Sequence, residues 1–346
     1  MDLITQGLAG AVVAAAAARR DRVRVAAAVG FVAGLIPDAD VLIRSSADPL
    51  LTLEFHRQFT HSLLFIPLGA LLGAALAWLL VRRRIGFAAT YGFALLGILP
   101  SGLLDASTSY GTQLLWPFSD ARIAWNLIAI IDPVFTGALL IGAIVALVRY
   151  TPTAARAAAL FALAYLGFGL VQHERVEGFA TALARERGHA VERLEVKPTL
   201  GNLVLWRTIY QSGDHFHVDA IRVGVAGRPR VYAGGSVPRL EPDEMANVQP
   251  DSVLAEDIRR FARFSEGYVA RHPSREDVIG DVRYSLRPNG VEPLWGIEID
   301  PSAPQRHAAF RTFRDLDGEI REAFFAMLLG KPLDGSPAPR ASVERP

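Results

Sequence analysis

Apolar residues run in long blocks through the first half of the chain, separated by short polar or basic turns. The blocks are Leu3–Ala18, Val25–Ile36, Leu63–Val81, Ile85–Leu104, Pro133–Val148 and Ala157–Val171. Ile85–Leu104 has about 20 residues, the length a bilayer core requires, and Leu63–Val81 is nearly as long. Pro133–Val148 is a third strong span, and Ala157–Val171 is the last. Leu3–Ala18 and Val25–Ile36 are shorter, and Pro37 closes the second because proline disfavours helix in the residue before it. These two predict a hairpin packed among other helices. The expected fold of this half is a polytopic α-helical membrane domain of about six helices, four of them clear spans.

From His173 onward the pattern is that of ordinary soluble protein. Glu174–Arg187 and Ala308–Leu329 carry helical character. Arg193–Val196, Leu203–Thr208, His215–Val223, Ile279–Leu286 and Trp295–Ile299 read as strands, and Gly234-Gly235 as a turn. The expectation is a soluble α+β domain over 173–330, after a membrane domain over 1–172. A Pro/Ser-rich tail, 331–346, is expected to be disordered.

Three basic turns, 19–24, Arg82–Arg84 and 149–156, alternate with the polar loops 37–60 and 105–131. Basic residues in short loops stay in the cytoplasm. The N-terminus, both polar loops and everything after His173 are then expected outside. The protein is expected to be multi-pass in the cytoplasmic (inner) membrane, with the lipid bilayer as its partner and the C-terminal domain extracytoplasmic.

Composition narrows the chemistry. The chain is 51% hydrophobic and 21% charged, and its net charge of +1 provides no field for nucleic acid, which is not expected as a partner. The absence of cysteine excludes disulfides, thiolate zinc sites and cysteine nucleophiles. Met1-Asp2 opens on an acid, so no cleavable signal peptide is expected. No nucleophile elbow, phosphate-binding glycine loop or dinucleotide fingerprint stands in its required context.

The polar residues at helix ends in the outward loops are Asp38, Asp40, His56, His61, Asp105 and Asp132. Carboxylates and imidazoles gathered on one face of a helical bundle suit one or two divalent metals. Each also has an ordinary role. Asp38 and Asp40 suit a helix end, and Asp132 before Pro133 is the usual N-cap with proline at the first helical position. His56 and His61 are five apart and would not share a helix face, so one can be a ligand while the other bonds locally. Arg57 is placed to pair with Asp38 or Asp40 or to meet a phosphate. Tyr110, Trp116 and Trp125 read as an interface belt. His215 and His217 alternate on a strand without an acidic neighbour and read as surface or packing residues.

These motifs, in this order, resemble a bacterial family of membrane-bound metal-dependent hydrolases, also described as LexA-binding, inner-membrane-associated hydrolases. The matching strings are Met1-Asp2-Leu3-Ile4-Thr5, Pro37-Asp38-Ala39-Asp40, His56-Arg57-Gln58-Phe59-Thr60-His61-Ser62, Leu103 through Phe118, and Ile131-Asp132-Pro133, over residues 1–170. Leu205-Trp206-Arg207 looks like part of the soluble segment of longer members. The resemblance implies a divalent metal (Mg, Mn or Zn) held by Asp38, Asp40, His56, His61 and Asp105. Asp38, His61 and Asp105 are the catalytic candidates, and Arg57, Thr60, Asp132, Gln6 and Ser101 are supporting or substrate-orienting. Gln6 and Ser101 stand where the family pattern has histidine, and neither is a good zinc ligand.

Two readings follow. In one, the protein hydrolyses an ester or phosphoester, lipid or lipid-linked, at the outer membrane interface. In the other, the cluster ties helices together, the catalytic site is lost, and the outer domain is a binding module for a protein partner of unknown identity. A transporter fits less well, because the acids sit at helix ends rather than at the midplane.

Overall fold

The computed structural model describes residues 1–333 apart from 243, 244, 246 and 247. It divides into two compact units. Unit 1 comprises Met1–Ile43, Phe55–Val171 and Leu200–Asn202; unit 2 comprises Arg44–Glu54, Gln172–Thr199 and the chain from Leu203. The part of the expected disordered tail from residue 334 on lies outside the described residues.

Unit 1 is helical. Its first elements are α1 (Leu3–Ala17), α2 (Val23–Gly34) and α3 (Leu51–Phe55), the last lying largely in the segment that clusters with unit 2. There follow α4 (Ile66–Val81), α5 (Phe87–Ala106), α6 (Pro133–Arg149) and α7 (Pro152–Glu186), whose residues from Gln172 on belong to unit 2. Arg20–Leu42, Leu63–Val81, Phe87–Ala106 and Pro152–Glu186 are long and apolar enough to cross a membrane. Helix α6, expected as a strong span, belongs with the shorter apolar helices, as does α1. Exposed leucines along α4, among them Leu68, Leu72, Leu76 and Leu80, give that helix a surface suited to lipid.

α1 and α2 pair as the expected hairpin, although Arg20–Leu42, expected to fall short of a span, is long enough for one; glycines explain the closeness of the pair. A Cβ on Gly10 would collide with the carbonyls of Gly30 and Gly97, so α1, α2 and α5 meet backbone to backbone. Such small-residue crossings replace the hydrophobic driving force that helices lack inside lipid. Arg24 donates to the Leu147 carbonyl (2.8 Å) and Arg156 to the Ala16 carbonyl (2.8 Å). The basic turns 19–24 and 149–156 therefore lie together at one end of the bundle. At the other end the two polar loops are stitched together: Leu63 N–H donates to Leu114 O (2.9 Å) and Gln113 N–H to Arg57 O (2.9 Å).

Helix α7 corrects one expectation. The apolar run ending at Val171 and the polar helix predicted from Glu174 are a single 35-residue helix. Polarity changes along it, but no glycine–proline break or cap interrupts it between Gln172 and Glu174.

Unit 2 contains two four-stranded antiparallel sheets. The first is ordered β1 (Arg193–Pro198), β2 (Leu205–Ser212), β3 (His215–Arg222), β4 (Arg230–Pro238). Helix α8 (Val253–Phe264) precedes the second, ordered β5 (Val269–His272), β6 (Arg275–Asp281), β7 (Trp295–Glu298), β8 (Ala309–Thr312), and α9 (Gly318–Leu329) follows it. Ala308–Leu329, expected as one helix, is β8 followed by α9; Asp317 caps α9 by accepting from Ile320 N–H. Gly234-Gly235 lies inside β4 rather than in a turn. Gly234 is required there because a Cβ would strike the carbonyls of Val218 and Asn289. Segment 44–54 is held by Arg260 of α8, which pairs with Asp48 (2.8 Å), Glu54 (2.7 Å) and Asp257 (2.9 Å).

His217 does more than cover the surface. Its ring packs on His189 (centroids 4.3 Å apart) and Tyr210 (5.0 Å), with His215 at 6.4 Å. Arg187 stands beside them in an ion pair with Asp219 (2.6 Å). Burial, and then the neighbouring His189, His215 and Arg187, lower the His217 pKa from its ordinary 6.5. A lowered imidazole pKa means that the unfolded chain binds the proton more readily. The stabilisation from neutral His217 is therefore present above pH 6.5 and declines as pH falls below it. An NMR titration of the folded protein is expected to place the His217 midpoint below that ordinary value; a midpoint above it would contradict this packing.

Candidate metal centre

Local geometry brings the polar residues together from four elements. Pro37 starts a 3₁₀ turn, Pro37–Leu42, whose first turn carries Asp38 and Asp40. A second 3₁₀ turn, Phe59–His61, presents His61. Asp105 lies in the last turn of α5, and Gln6 in the second turn of α1. The His61 backbone approaches α5 at Gly102, where a Cβ would collide with the His61 carbonyl.

Asp38, His61 and Asp105 each offer a ligand atom, all within 4.8 Å of one another. His61 Nε2 is 3.0 Å from Asp105 Oδ2 and 3.5 Å from Asp38 Oδ1. Both contacts are ion pairs, and Nε2 makes no aligned hydrogen bond among the described residues. Asp38 Oδ2 and Gln6 Oε1 are likewise buried without a partner. Buried polar atoms without a partner are costly unless something polar meets them. Two carboxylates and an imidazole form a donor set that a divalent cation accepts, with the orphaned amide oxygen of Gln6 beside it.

The other residues stand around this group. Asp40 and His56, expected as ligands, are not among the three. Asp40 Oδ2 is on the Nδ1 side of His61, 3.4 Å away, and Asp40 Oδ1 bonds His56 Nδ1 at 3.0 Å. Thr60 Oγ1 bonds His61 Nδ1 at 3.0 Å and donates to Asp40 Oδ2 at 3.2 Å. This is how a ring is oriented from behind. Burial disfavours the His61 imidazolium, but the carboxylates of Asp105, Asp38 and Asp40 outweigh it and push its pKa up to about 10.

Arg57 does not pair with Asp38 or Asp40 through its side chain. Its Nη2 lies 3.0 Å from Asp105 Oδ1, and its Nη1 donates to Thr108 Oγ1 (2.8 Å). Its backbone, in the left-handed region at φ 58°, instead directs its N–H onto Asp40 Oδ2 (2.7 Å). Gln6 Nε2 donates to Asp105 Oδ2 (2.8 Å), and the Met1 amine also contacts Asp105. Ser101 faces away from the carboxylates and donates to the Gly34 carbonyl (3.3 Å). Asp132 is elsewhere: it caps α6, accepting from Val134 and Phe135 N–H (both 3.0 Å) and from the Tyr165 hydroxyl (2.9 Å).

Two residues emerge that sequence reasoning did not assign to the cluster. Thr108 receives Arg57, and Tyr110, expected in an interface belt, packs its ring on His56 (5.2 Å) and under the Arg57 guanidinium (5.0 Å). Both lie in the string Leu103–Phe118, which was their only signal. Two further acid–histidine groupings occur among the described residues. Asp48, Asp257 and His307 are engaged with Arg260 or each other, and His173, Glu174 and Glu177 lie on the partly exposed side of α7.

Helices long and apolar enough to cross a bilayer, with a buried polar cluster at one end of the bundle, fit a membrane protein. Residues 1–176 match the YdjM inner membrane protein family, and the chain belongs to that family. Inner membrane protein YbcI of Escherichia coli (strain K12) is 34% identical over 107 residues, covering 29% of this chain and 60% of that relative. The match thus spans about three fifths of the relative's length. No solved structure matches the chain. Location in the inner membrane follows from the family and the apolar helices.

Proposed function

We propose that unit 1 is a metal-dependent hydrolase of the inner membrane, acting on an ester or phosphoester that is lipid or lipid-linked. The observation that carries this reading is the convergence of Asp38, His61 and Asp105, with Asp38 Oδ2 buried there without a hydrogen-bond partner among the described residues. A divalent cation (Mg, Mn or Zn) bound there would supply an acidified water and polarise the scissile group. His61 must give up its proton to act as a ligand, and Thr60 and Asp40 hold its ring in place. Arg57 balances the charge of Asp105 and stands ready to orient an anionic group. Asp40 and His56 support His61 from behind. The positive-inside pattern favours the outer face for this site and an extracytoplasmic unit 2.

The second reading is a non-catalytic protein in which the cluster is a structural network and unit 2 binds a partner. It is favoured by Asp105, whose oxygens already meet Arg57 and Gln6. Elemental analysis of the detergent-purified protein separates the two. Wild type is expected to hold stoichiometric metal that both Asp38→Ala and His61→Ala lose and Asp132→Ala retains. Absence of metal from wild type after Mg, Mn or Zn is added back would refute the hydrolase reading.

A further inference from the structure

Helix α7 leaves its apolar stretch abruptly. Leu170 and Val171 are exposed apolar residues, and Gln172 follows them directly. The first polar turn of α7 is occupied in holding one loop of unit 2. Gln172 Nε2 donates to the Val223 carbonyl (3.0 Å), and Arg175 Nη1 donates to the carbonyl of Gly224 (2.9 Å). The loop is 223–229, between β3 and β4. Its tip, Val225-Ala226, projects without cover, and Val225 is 79% exposed. Arg222 and Arg230 at its base fasten the end of α9 through the carbonyls of Leu328 and Gly330. Leu329 of that helix end is also exposed, at 62%. Arg228 makes no hydrogen bond or ion pair among the described residues.

An isolated exposed valine is unremarkable. This one is fixed within one helical turn of the place where α7 exchanges apolar for polar surface, which is where a crossing helix leaves the bilayer. A short apolar tip beside an unengaged arginine matches the headgroup region in both polarity and charge. We propose that the loop 223–229, with Leu329 beside its base, is a lipid-contacting anchor. Val225 and Ala226 enter the acyl boundary, and Arg228 meets anionic headgroups. The bilayer surface is thus a ligand of unit 2, whether or not unit 1 is an enzyme.

The chain lacks cysteine, so Val225→Cys in the full-length protein accepts a single thiol-reactive fluorophore. Ser302→Cys, in an exposed turn of unit 2, provides the reference. In nanodiscs of phosphatidylcholine and phosphatidylglycerol, spin-labelled lipid is expected to quench the label at 225 about twofold more than that at 302. Aqueous iodide is expected to reach 225 less than 302. Equal lipid quenching at both positions overturns the proposal. Shielding from iodide without lipid quenching would mean that protein covers the loop, and overturns it too. Arg228→Glu is expected to reduce lipid quenching at 225 in anionic discs and not in phosphatidylcholine discs. A reduction of equal size in both overturns the headgroup contact.

Discussion

Gly30→Val is expected to abolish a stably folded unit 1, while Gly92→Val, also in a membrane helix, is tolerated. A Cβ at Gly30 would meet the backbone carbonyl of Gly10 and the Ala14 methyl, whereas at Gly92 nothing lies within 4 Å. Overpacking in a soluble core costs roughly 1–3 kcal/mol because side chains can rearrange. Here the obstacle is mostly backbone of another helix, and valine adds two further carbons. Separation of α1 from α2 would also move Gln6 away from Asp105 and undo the crossing with Gly97. A cost above about 3 kcal/mol is therefore expected, a large fraction of the stability of an ordinary domain. The check is the fraction of each variant that remains monodisperse in detergent after heating. Equal survival of Gly30→Val and wild type would show that the helices have room to part.

That crossing also illustrates what could be read from the sequence. The apolar blocks located the helices of unit 1, because lipid demands length and hydrophobicity and little else. The close pairing of α1 and α2 was legible from their shortness. The role of Gly97 was not, since contact between helices distant in the chain leaves no periodic signal in either. In the polar cluster, residue types were legible and geometry was not. The five-residue spacing of His56 and His61 separates their roles, but only folding shows that Asp40 stands between the two rings. For Arg57 the sequence offered Asp38, Asp40 or a phosphate; its backbone N–H does meet Asp40, but from a left-handed residue its guanidinium reaches Asp105, which lies too far along the chain to be read as a neighbour. In unit 2, strands β2 and β3 were found from their apolar alternation. Strand β4 was missed because Gly234 and Gly235, which make room for neighbouring backbone, imitate a turn.

Arg57→Met and Asp105→Leu are each expected to cost about 3–5 kcal/mol, and the double variant less than their sum. Both side chains are buried, Arg57 at 3% exposure and Asp105 at 0%, and the two are 3.0 Å apart. Removal of one leaves the other without its opposite charge away from water, a loss the double variant does not add, although the Met1 amine, Gln6 and His61 lose Asp105 wherever Leu replaces it. Thermal unfolding in detergent measures the cycle, and additive costs would show that the pair is not coupled. Repeating the cycle with a divalent cation distinguishes the two functional readings. A cation held by Asp38, His61 and Asp105 stabilises the folded state by mass action. It also supplies positive charge to the carboxylates that Arg57→Met leaves unbalanced. Mg, Mn or Zn should therefore restore part of the stability of Arg57→Met, and none of that of Asp105→Leu or the double variant. If no cation shifts the unfolding of any variant while the coupling persists, the protein's own positive groups neutralise the cluster, and the network serves to join helices rather than to bind metal.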